Sequence, residues 1–267
     1  MLDVSRSGFD KWLKRGTSKR EKRRQALLEE IRKIFDESNR TYGSPRVYEA
    51  LKLKGIHVNR KTVEKLMRKH NLTPPKRKKF RVTTDSKHNL PIAENLVNRQ
   101  FDGRKPDEVW VSDITYIHTN QGWLFLSVFI DLCTRKIVGW SMGENITTDL
   151  VLDSFRMGVS NRERAPGIAH SDRGVQYASE AFRAELANSG SLQSMSRKGN
   201  CWDNAVCESF FGALKTELVY RYKFVSRKHA EVAIFEYIEI FYNKRRLHSA
   251  LGYLTPEEKG LKGEKAA

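Results

Sequence analysis

Segment 170–215 constrains the fold most, because two of its acidic residues, Asp172 and Glu208, lie on predicted elements of different types. Asp172 ends a short apolar run, residues 167–170, which is typical of a buried strand. Glu208 lies within a pattern of apolar residues at helical spacing. A strand and a helix that follow each other in this way indicate an α/β domain.

A third acid lies upstream, in the run from Glu108 to His118. This run is rich in β-branched and aromatic residues and predicts a central strand that contains Asp113. A carboxylate there is costly to bury unless a cation pairs with it. Together, Asp113, Asp172 and Glu208 would offer hard oxygen ligands, which suit Mg²⁺ or Mn²⁺ better than zinc. Two such ions can promote phosphodiester chemistry.

The surroundings of these acids resemble the DDE catalytic core of retroviral-integrase-type transposases. Between Asp172 and Glu208 lie 35 residues, the spacing for which that group is known. More narrowly, the chain resembles the OrfB transposases of the insertion-sequence-three family over nearly its whole length. The matching motifs are Trp110 to Tyr116, His170 to Tyr177, Asp203 to Glu217, Arg40 to Arg46, Asp131 to Trp140 and Tyr242 to Gly252.

The resemblance implies an α/β fold with an RNase H-like integrase core, a mixed five-stranded sheet with helices, after a small all-α helix-turn-helix-like domain. It implies that Asp113, Asp172 and Glu208 hold two Mg²⁺ or Mn²⁺ ions, and that the enzyme cuts DNA at an element end and joins the freed 3′-hydroxyl to a target. It also implies a homo-oligomer on double-stranded DNA, a partner from the upstream frame (OrfA), and transposon-end DNA held near Lys215.

Two other functions stay open from the sequence. A chain that binds element ends without cutting them would be a non-catalytic or incomplete regulator of transposition. A metal-dependent nuclease of RNase H type would share the acidic residues and would not join strands.

All the excess positive charge lies in the N-terminal part. Residues 1–105 contain 29 Lys and Arg against 12 Asp and Glu, so the net charge of +17 belongs to this part. Clustered cations favour binding to DNA, because they release its condensed counterions. No apolar run reaches the ~20 residues of a membrane-spanning helix, and the three cysteines have no paired spacing. We therefore expect a cytoplasmic, nucleoid-associated bacterial protein with no membrane partner.

Residues 1–81 are predicted to form the basic helix-turn-helix-like domain, and residues 82–105 a linker. In the third helix of this domain, Arg60, Lys61 and Lys65 would contact DNA, with a solvated basic face as the alternative. The helices are expected at 23–38, 45–53 and 60–70.

Residues 106–225 are predicted to form the catalytic core, and residues 226–267 a C-terminal helix and tail. The strands are expected at 109–118, 122–131, 136–143, 167–172 and 191–196, and the helices at 147–161, 179–189, around Glu208 and at 227–251.

Several other residues are candidates for the site, and most of them have two interpretations. Lys198 lies in a loop that could cover the scissile phosphate. Arg245 and Arg246 end the long predicted helix, where they would contact DNA or form a cation cluster stabilised by the helix dipole. Asp131, at the end of another predicted strand, is either a fourth ligand or a turn residue, and His170 is either packed or functional.

Overall fold

The computed structural model describes residues 5–14, 16–76, 90–197 and 201–264. The chain divides into two compact units, which separate between Pro75 and Lys76. The predicted domain boundary at residue 81 and the first part of the predicted linker lie outside the described residues.

The first unit is helical. Local signals set the helix starts: the Ser18 hydroxyl accepts a hydrogen bond from the Glu21 N–H, and the Asn59 side chain accepts one from the Lys61 N–H. Apolar residues of the last three helices, among them Ile31, form a buried core. The helices are α1 (Arg6–Lys14), α2 (Lys19–Glu37), α3 (Ser44–Leu53) and α4 (Arg60–Lys69).

The second unit is built on a five-stranded mixed sheet, as predicted. The strands lie in the order β3-β2-β1-β4-β5, with β1 antiparallel to β2, β2 antiparallel to β3, and β4 parallel to both β1 and β5. They are β1 (Val109–Thr119), β2 (Gly122–Asp131), β3 (Ile137–Gly143), β4 (Ile168–Ser171) and β5 (Leu192–Met195).

An aromatic cluster fixes the helices to this sheet. Trp110 and Phe129 of the sheet meet Phe155 and Phe182 of two helices, with ring centroids 5.4–6.4 Å apart. Residues 90–97 attach to the far edge, because the Met195 N–H donates to the Glu94 carbonyl. The helices are α5 (Thr148–Arg162), α6 (Val175–Ala178), α7 (Glu180–Asn188) and α8 (Ala205–Glu217).

The prediction of a single long helix over residues 227–251 was wrong. The structure has α9 (Arg227–Phe235), a π-helical stretch (Glu236–Tyr242), a 3₁₀ turn (Ser249–Leu251) and α10 (Pro256–Glu264). The turns of the π-helical stretch are wider than those of an α-helix, and the helix ends where Asn243 bonds to a distant strand. The Asn243 side chain accepts a hydrogen bond from the Ile137 N–H and donates one to its carbonyl, which draws the helix end to β3.

In the part of the chain that the structure describes, no helix has the length and apolar character needed to cross a membrane.

We expect Gly139→Ala to destabilise the second unit by about 1–3 kcal/mol or more, through overpacking. A Cβ on Gly139 of β3 would overlap the Ser154 carbonyl oxygen and lie 2.5 Å from the Gly158 nitrogen, both on the backbone of α5. Urea unfolding measures the change. As the matched control, Gly260→Ala in α10 meets its nearest heavy atom at 4.0 Å and should be neutral or stabilising. Equal stability of the two variants would contradict the close approach of β3 and α5.

Candidate active site

Strand register brings two of the three acids together. β1 pairs in parallel with β4, and the last paired residues are Val111 and His170. Asp113 and Asp172 each lie two residues beyond that pair, so the two carboxylates come at the same level of neighbouring strands. The Asp172 carboxylate also accepts a hydrogen bond from the Gly174 N–H (2.9 Å).

The third acid comes from α8, which packs against β1. The Asn204 side chain at the start of this helix donates a hydrogen bond to the Ser112 carbonyl (3.0 Å), the residue before Asp113. The apolar face of α8, with Cys207 and Phe210, is buried, whereas Glu208 is half-buried. The helix therefore holds Glu208 beside the acidic pair.

Burial and the charges of the two other acids act on Asp113. Burial raises the pKa of Asp113 well above its usual range, and the negative charges of Asp172 and Glu208 raise it further. A hydrogen bond from the Ile114 N–H (2.8 Å) and the charge of Lys215 oppose the rise in this pKa. Burial also raises the pKa of Glu208. The site therefore concentrates more negative charge than its surroundings neutralise.

Lys215 belongs to the same site. Its side chain is 9% exposed, and the ammonium lies 4.8 Å from the centre of the Tyr116 ring. Burial lowers the pKa of Lys215, and the charge of Asp113 opposes that change. The Lys215 cation thus lies close enough to Asp113 for their charges to interact.

Neutral groups complete the surroundings of the acids. Tyr177 and Ser112 share a hydrogen bond between their hydroxyls (2.8 Å). Burial, with the charges of Asp113 and Asp172, raises the pKa values of Tyr177 and Cys207 well above their usual range. Both side chains stay protonated at neutral pH and add no charge to the site.

The three carboxylates suit a divalent metal by their chemistry. In the described ranges, no group of three or more His, Cys, Asp or Glu side chains is arranged as a ready metal site. However, the like charges that raise the pKa of Asp113 are those that a divalent cation would offset. All three donors are carboxylate oxygens, which match the preference of Mg²⁺ and Mn²⁺.

The basic residues predicted to bind DNA lie in several places. Arg60, Lys61 and Lys65 are exposed on α4. Lys65 lines a cleft of about 650 Å³ together with Arg20, Arg23 and Arg24 of α2. Arg245 is exposed near the end of the π-helical stretch, and Lys198 lies outside the described residues.

Arg246 requires a correction. Its guanidinium is buried and donates to both carboxylate oxygens of Glu217, at 2.6 and 2.8 Å. The Tyr237 hydroxyl donates to the same carboxylate (2.8 Å). Arg246 therefore fixes the C-terminal segment to α8, and direct contact with a DNA phosphate does not fit this position.

Asp131 and His170, each of which had two interpretations from the sequence, have structural roles. The Asp131 carboxylate accepts hydrogen bonds from the N–H groups of Asp107, Cys133 and Thr134, so it is a turn residue. His170 is buried, with its ring nitrogens 2.8 and 3.1 Å from the hydroxyls of two serines on β5 and just after it. Burial lowers the pKa of His170 to about 4, so the ring is neutral at neutral pH.

A set of hydrogen bonds around Asp203, here called the clamp, was not predicted from the sequence. The side chain of Asp203 accepts hydrogen bonds from Asn95, Arg99 and Arg197 at 2.9–3.0 Å. The bonds from Arg197 hold the pKa of Asp203 well below its usual range. The clamp ties the residues on both sides of segment 198–202 together, next to the start of α8. Two of its partners, Asn95 and Arg99, are distant in sequence, and no local pattern identifies them.

Comparison with known proteins identifies the domains and the relatives of this chain. Residues 103–201 and 189–256 match two models of the integrase core domain, and residues 22–80 match an HTH-like domain. A 31 kDa protein of insertion element IS600 from Shigella sonnei is 43% identical, with 96% of this chain and 94% of that protein covered. Transposase InsF for insertion sequence IS3A from Escherichia coli is 40% identical, with 97% and 91% covered.

Among solved structures, the simian T-cell lymphotropic virus intasome is similar, with a TM-score of 0.51 and 17% identity. The match covers 80% of this chain and 70% of that chain. This likeness supports the fold of the integrase core.

We expect Asp113→Asn to stabilise the metal-free protein at neutral pH, by about 0.5–2 kcal/mol, the usual size of a stabilising change. Because the pKa of Asp113 is raised in the folded state, its ionised form opposes folding above that pKa. This cost disappears as the pH falls below the pKa of the unfolded carboxyl, ~3.9. Asparagine keeps an acceptor for the Ile114 N–H.

Urea unfolding in a chelator, from neutral to acidic pH, measures this difference. The matched control is Asp153→Asn, an exposed position on α5, which should change stability by less than about 0.5 kcal/mol. A less stable Asp113→Asn protein at neutral pH would contradict the like-charge repulsion at the site.

Proposed function

The chain belongs to the transposase family of insertion sequence IS3, and from this premise we propose that Asp113, Asp172 and Glu208 are its catalytic residues. The protein is a transposase with an integrase core. We infer that it cuts DNA at the ends of an insertion sequence and transfers the freed strand to a target. The observation that carries the proposal is the register of β1 with β4, which sets Asp113 and Asp172 at the same level, with Glu208 of α8 close enough for its charge to act on Asp113.

The carboxylates of Asp113, Asp172 and Glu208 would hold two Mg²⁺ or Mn²⁺ ions. When bound, such ions lower the pKa of water or a hydroxyl and stabilise the charge on the leaving oxygen of a phosphodiester. Integrase-like domains typically use a divalent metal.

The remaining residues of the site bind and orient the DNA in this proposal. Lys215 meets a phosphate next to the scissile bond, where its charge offsets part of the repulsion between DNA and the acids. Arg245, which is exposed, contacts the DNA backbone further away. Tyr177 and Cys207, which stay protonated, keep the floor of the site uncharged. No side chain becomes covalently attached to DNA, since water and then the 3′-hydroxyl are the nucleophiles.

We propose that the first unit recognises double-stranded DNA. Its basic cleft is lined by Lys65 of α4 and by three arginines of α2. Arg60 and Lys61, at the N-terminus of α4, are also exposed. Cations from two helices that meet around one cleft can contact several phosphates at once. The charge surplus of residues 1–105 supports this role.

We also propose a homo-oligomer and a partner encoded by the upstream frame (OrfA). An element has two ends, so a complex that joins both needs at least two copies of a chain with one such site. In the first unit, α1 exposes Phe9 and Leu13, at 50% and 61%, which offers an apolar surface for a further protein.

We expect Lys65→Ala to weaken DNA binding at low salt and to reduce the salt dependence. The loss of one phosphate contact lowers the slope of log K against log salt by about 0.9. Fluorescence anisotropy with labelled duplex DNA at several salt concentrations measures this slope. Arg183→Ala, at an exposed position on α7, is the control and should leave the slope unchanged. An unchanged slope in Lys65→Ala would remove the cleft from the DNA-binding surface.

We expect Glu208→Gln to reduce strand cleavage and joining by more than about a hundredfold, because it removes one catalytic carboxylate. The substrate is labelled duplex DNA from either side of the gene, with Mg²⁺ or Mn²⁺, and the products are separated on a denaturing gel. Glu180→Gln, at an exposed position on α7, should keep full activity.

The outcomes separate the functions considered above. Products joined to a second duplex establish a transposase active on its own. Cleavage without joining favours an RNase H-type nuclease. If the native chain binds DNA without cleaving it, and the upstream-frame protein restores cleavage, the chain is an incomplete enzyme.

A further inference from the structure

A cleft lined by aromatic side chains lies beside the acidic residues. It has a volume of about 660 Å³, within the range of sites for small organic ligands. One wall is the β1–β2 hairpin, with Tyr116, His118 and Trp123, and the other is the segment that follows α8, with Tyr220 and Tyr222. We call this cleft the aromatic cleft.

The walls are joined at the hairpin tip. The Asn120 N–H donates a hydrogen bond to the Phe224 carbonyl (3.0 Å), and Thr119 forms a β-bridge with Phe224. The Trp123 ring stands edge-on to Tyr116 and His118, with centroids 5.1 and 5.2 Å apart. The three rings of the hairpin therefore hold one another in place, and backbone pairing holds the second wall against the hairpin tip.

Large parts of these rings remain open to solvent. Trp123 is 47% exposed, Tyr220 51% and Tyr222 53%. Exposed aromatic side chains gathered around one cleft are unusual unless they bind a partner. Their flat faces suit another flat ring system.

The charge of the aromatic cleft selects an anionic partner. Lys215 and Lys223 line it, and none of the described residues that line it is acidic. Lys215 also connects the aromatic cleft to the catalytic acids, since it lies over Tyr116 and is close enough to Asp113 for their charges to interact. A ligand in the aromatic cleft would thus adjoin the reacting phosphate.

We propose that the aromatic cleft binds one unpaired nucleotide of the DNA strand that enters the active site, with its base on the aromatic rings and its phosphate near the lysines. Aromatic rings combined with cations are the usual means of binding single-stranded nucleic acid. A base inside a duplex has both faces covered by its neighbours, so only a base that has left the stack can lie on these rings. The inference rests on the proposed function for its location beside the scissile phosphate.

The test compares two labelled DNAs of equal length, a fully paired duplex and a duplex with a short single-stranded extension. Binding is measured by fluorescence anisotropy in a chelator, so that no strand is cut. The native chain should bind the extended DNA about tenfold more tightly. Trp123→Ala should lose this preference and keep its affinity for the paired duplex, whereas Trp123→Phe should retain most of it.

Two further variants make the result specific. Phe235→Ala removes a ring of similar exposure, 46%, from α9, outside the aromatic cleft, and should keep the preference. Tyr222→Leu removes a ring from the segment after α8 and repeats the test without altering the hairpin. Its preference for the extended DNA should also fall.

Three results would overturn the inference: no preference in the native chain, a preference retained in both Trp123→Ala and Tyr222→Leu, or an equal loss of affinity for both DNAs. Strand joining by a native chain without the preference would leave the proposed function intact. A preference without any strand joining would support the aromatic cleft and count against the proposed function.

Discussion

The parallel pairing of β1 with β4 is the constraint on which the site depends. It sets Asp113 and Asp172 at the same level of adjacent strands, where their charges repel. The surrounding core must hold them there. The aromatic cluster around Trp110 fixes the sheet to its helices, and the hydrogen bond from Asn204 to Ser112 fixes α8 next to Asp113. The packing of the core therefore sustains an arrangement of charges that would not persist in a flexible chain.

This arrangement explains why the neighbours of the acids are neutral or cationic. Additional negative charge would raise the pKa of Asp113 further and leave it protonated, with a weaker capacity to bind a cation. Tyr177 and Cys207 remain protonated, and Lys215 is the cation that opposes the rise. A site of this kind gives up stability for function, since each ionised acid is more favourable in water than beside its neighbours.

The sequence predicted much of the fold because its strands have strong local signals. The runs around Asp113 and in β2 combine β-branched and aromatic residues, and their predicted bounds agree with the structure to within a residue. The choice of three acids depended on family motifs, and their catalytic role stays a prediction. Arg246 could not be placed from sequence, because its partner Glu217 is distant and nothing near Arg246 indicates a buried ion pair. The end of the helix at Asn243 depends in the same way on a distant residue, Ile137.

Lys215 connects the acidic residues to the aromatic cleft, and its charge affects how DNA can reach the acids. Residues 106–267 carry 20 basic and 20 acidic residues, so this part of the chain has no general attraction for DNA. A phosphate that approaches three carboxylates is repelled unless a cation stands close to it. The Lys215 ammonium lies over the ring of Tyr116 and is close enough to Asp113 for their charges to interact, so it can attract a phosphate at the point where the acids and the aromatic cleft meet. In the proposed function, general attraction for DNA comes from the basic first unit, and the charge of Lys215 in the core helps to position the phosphate that is cut.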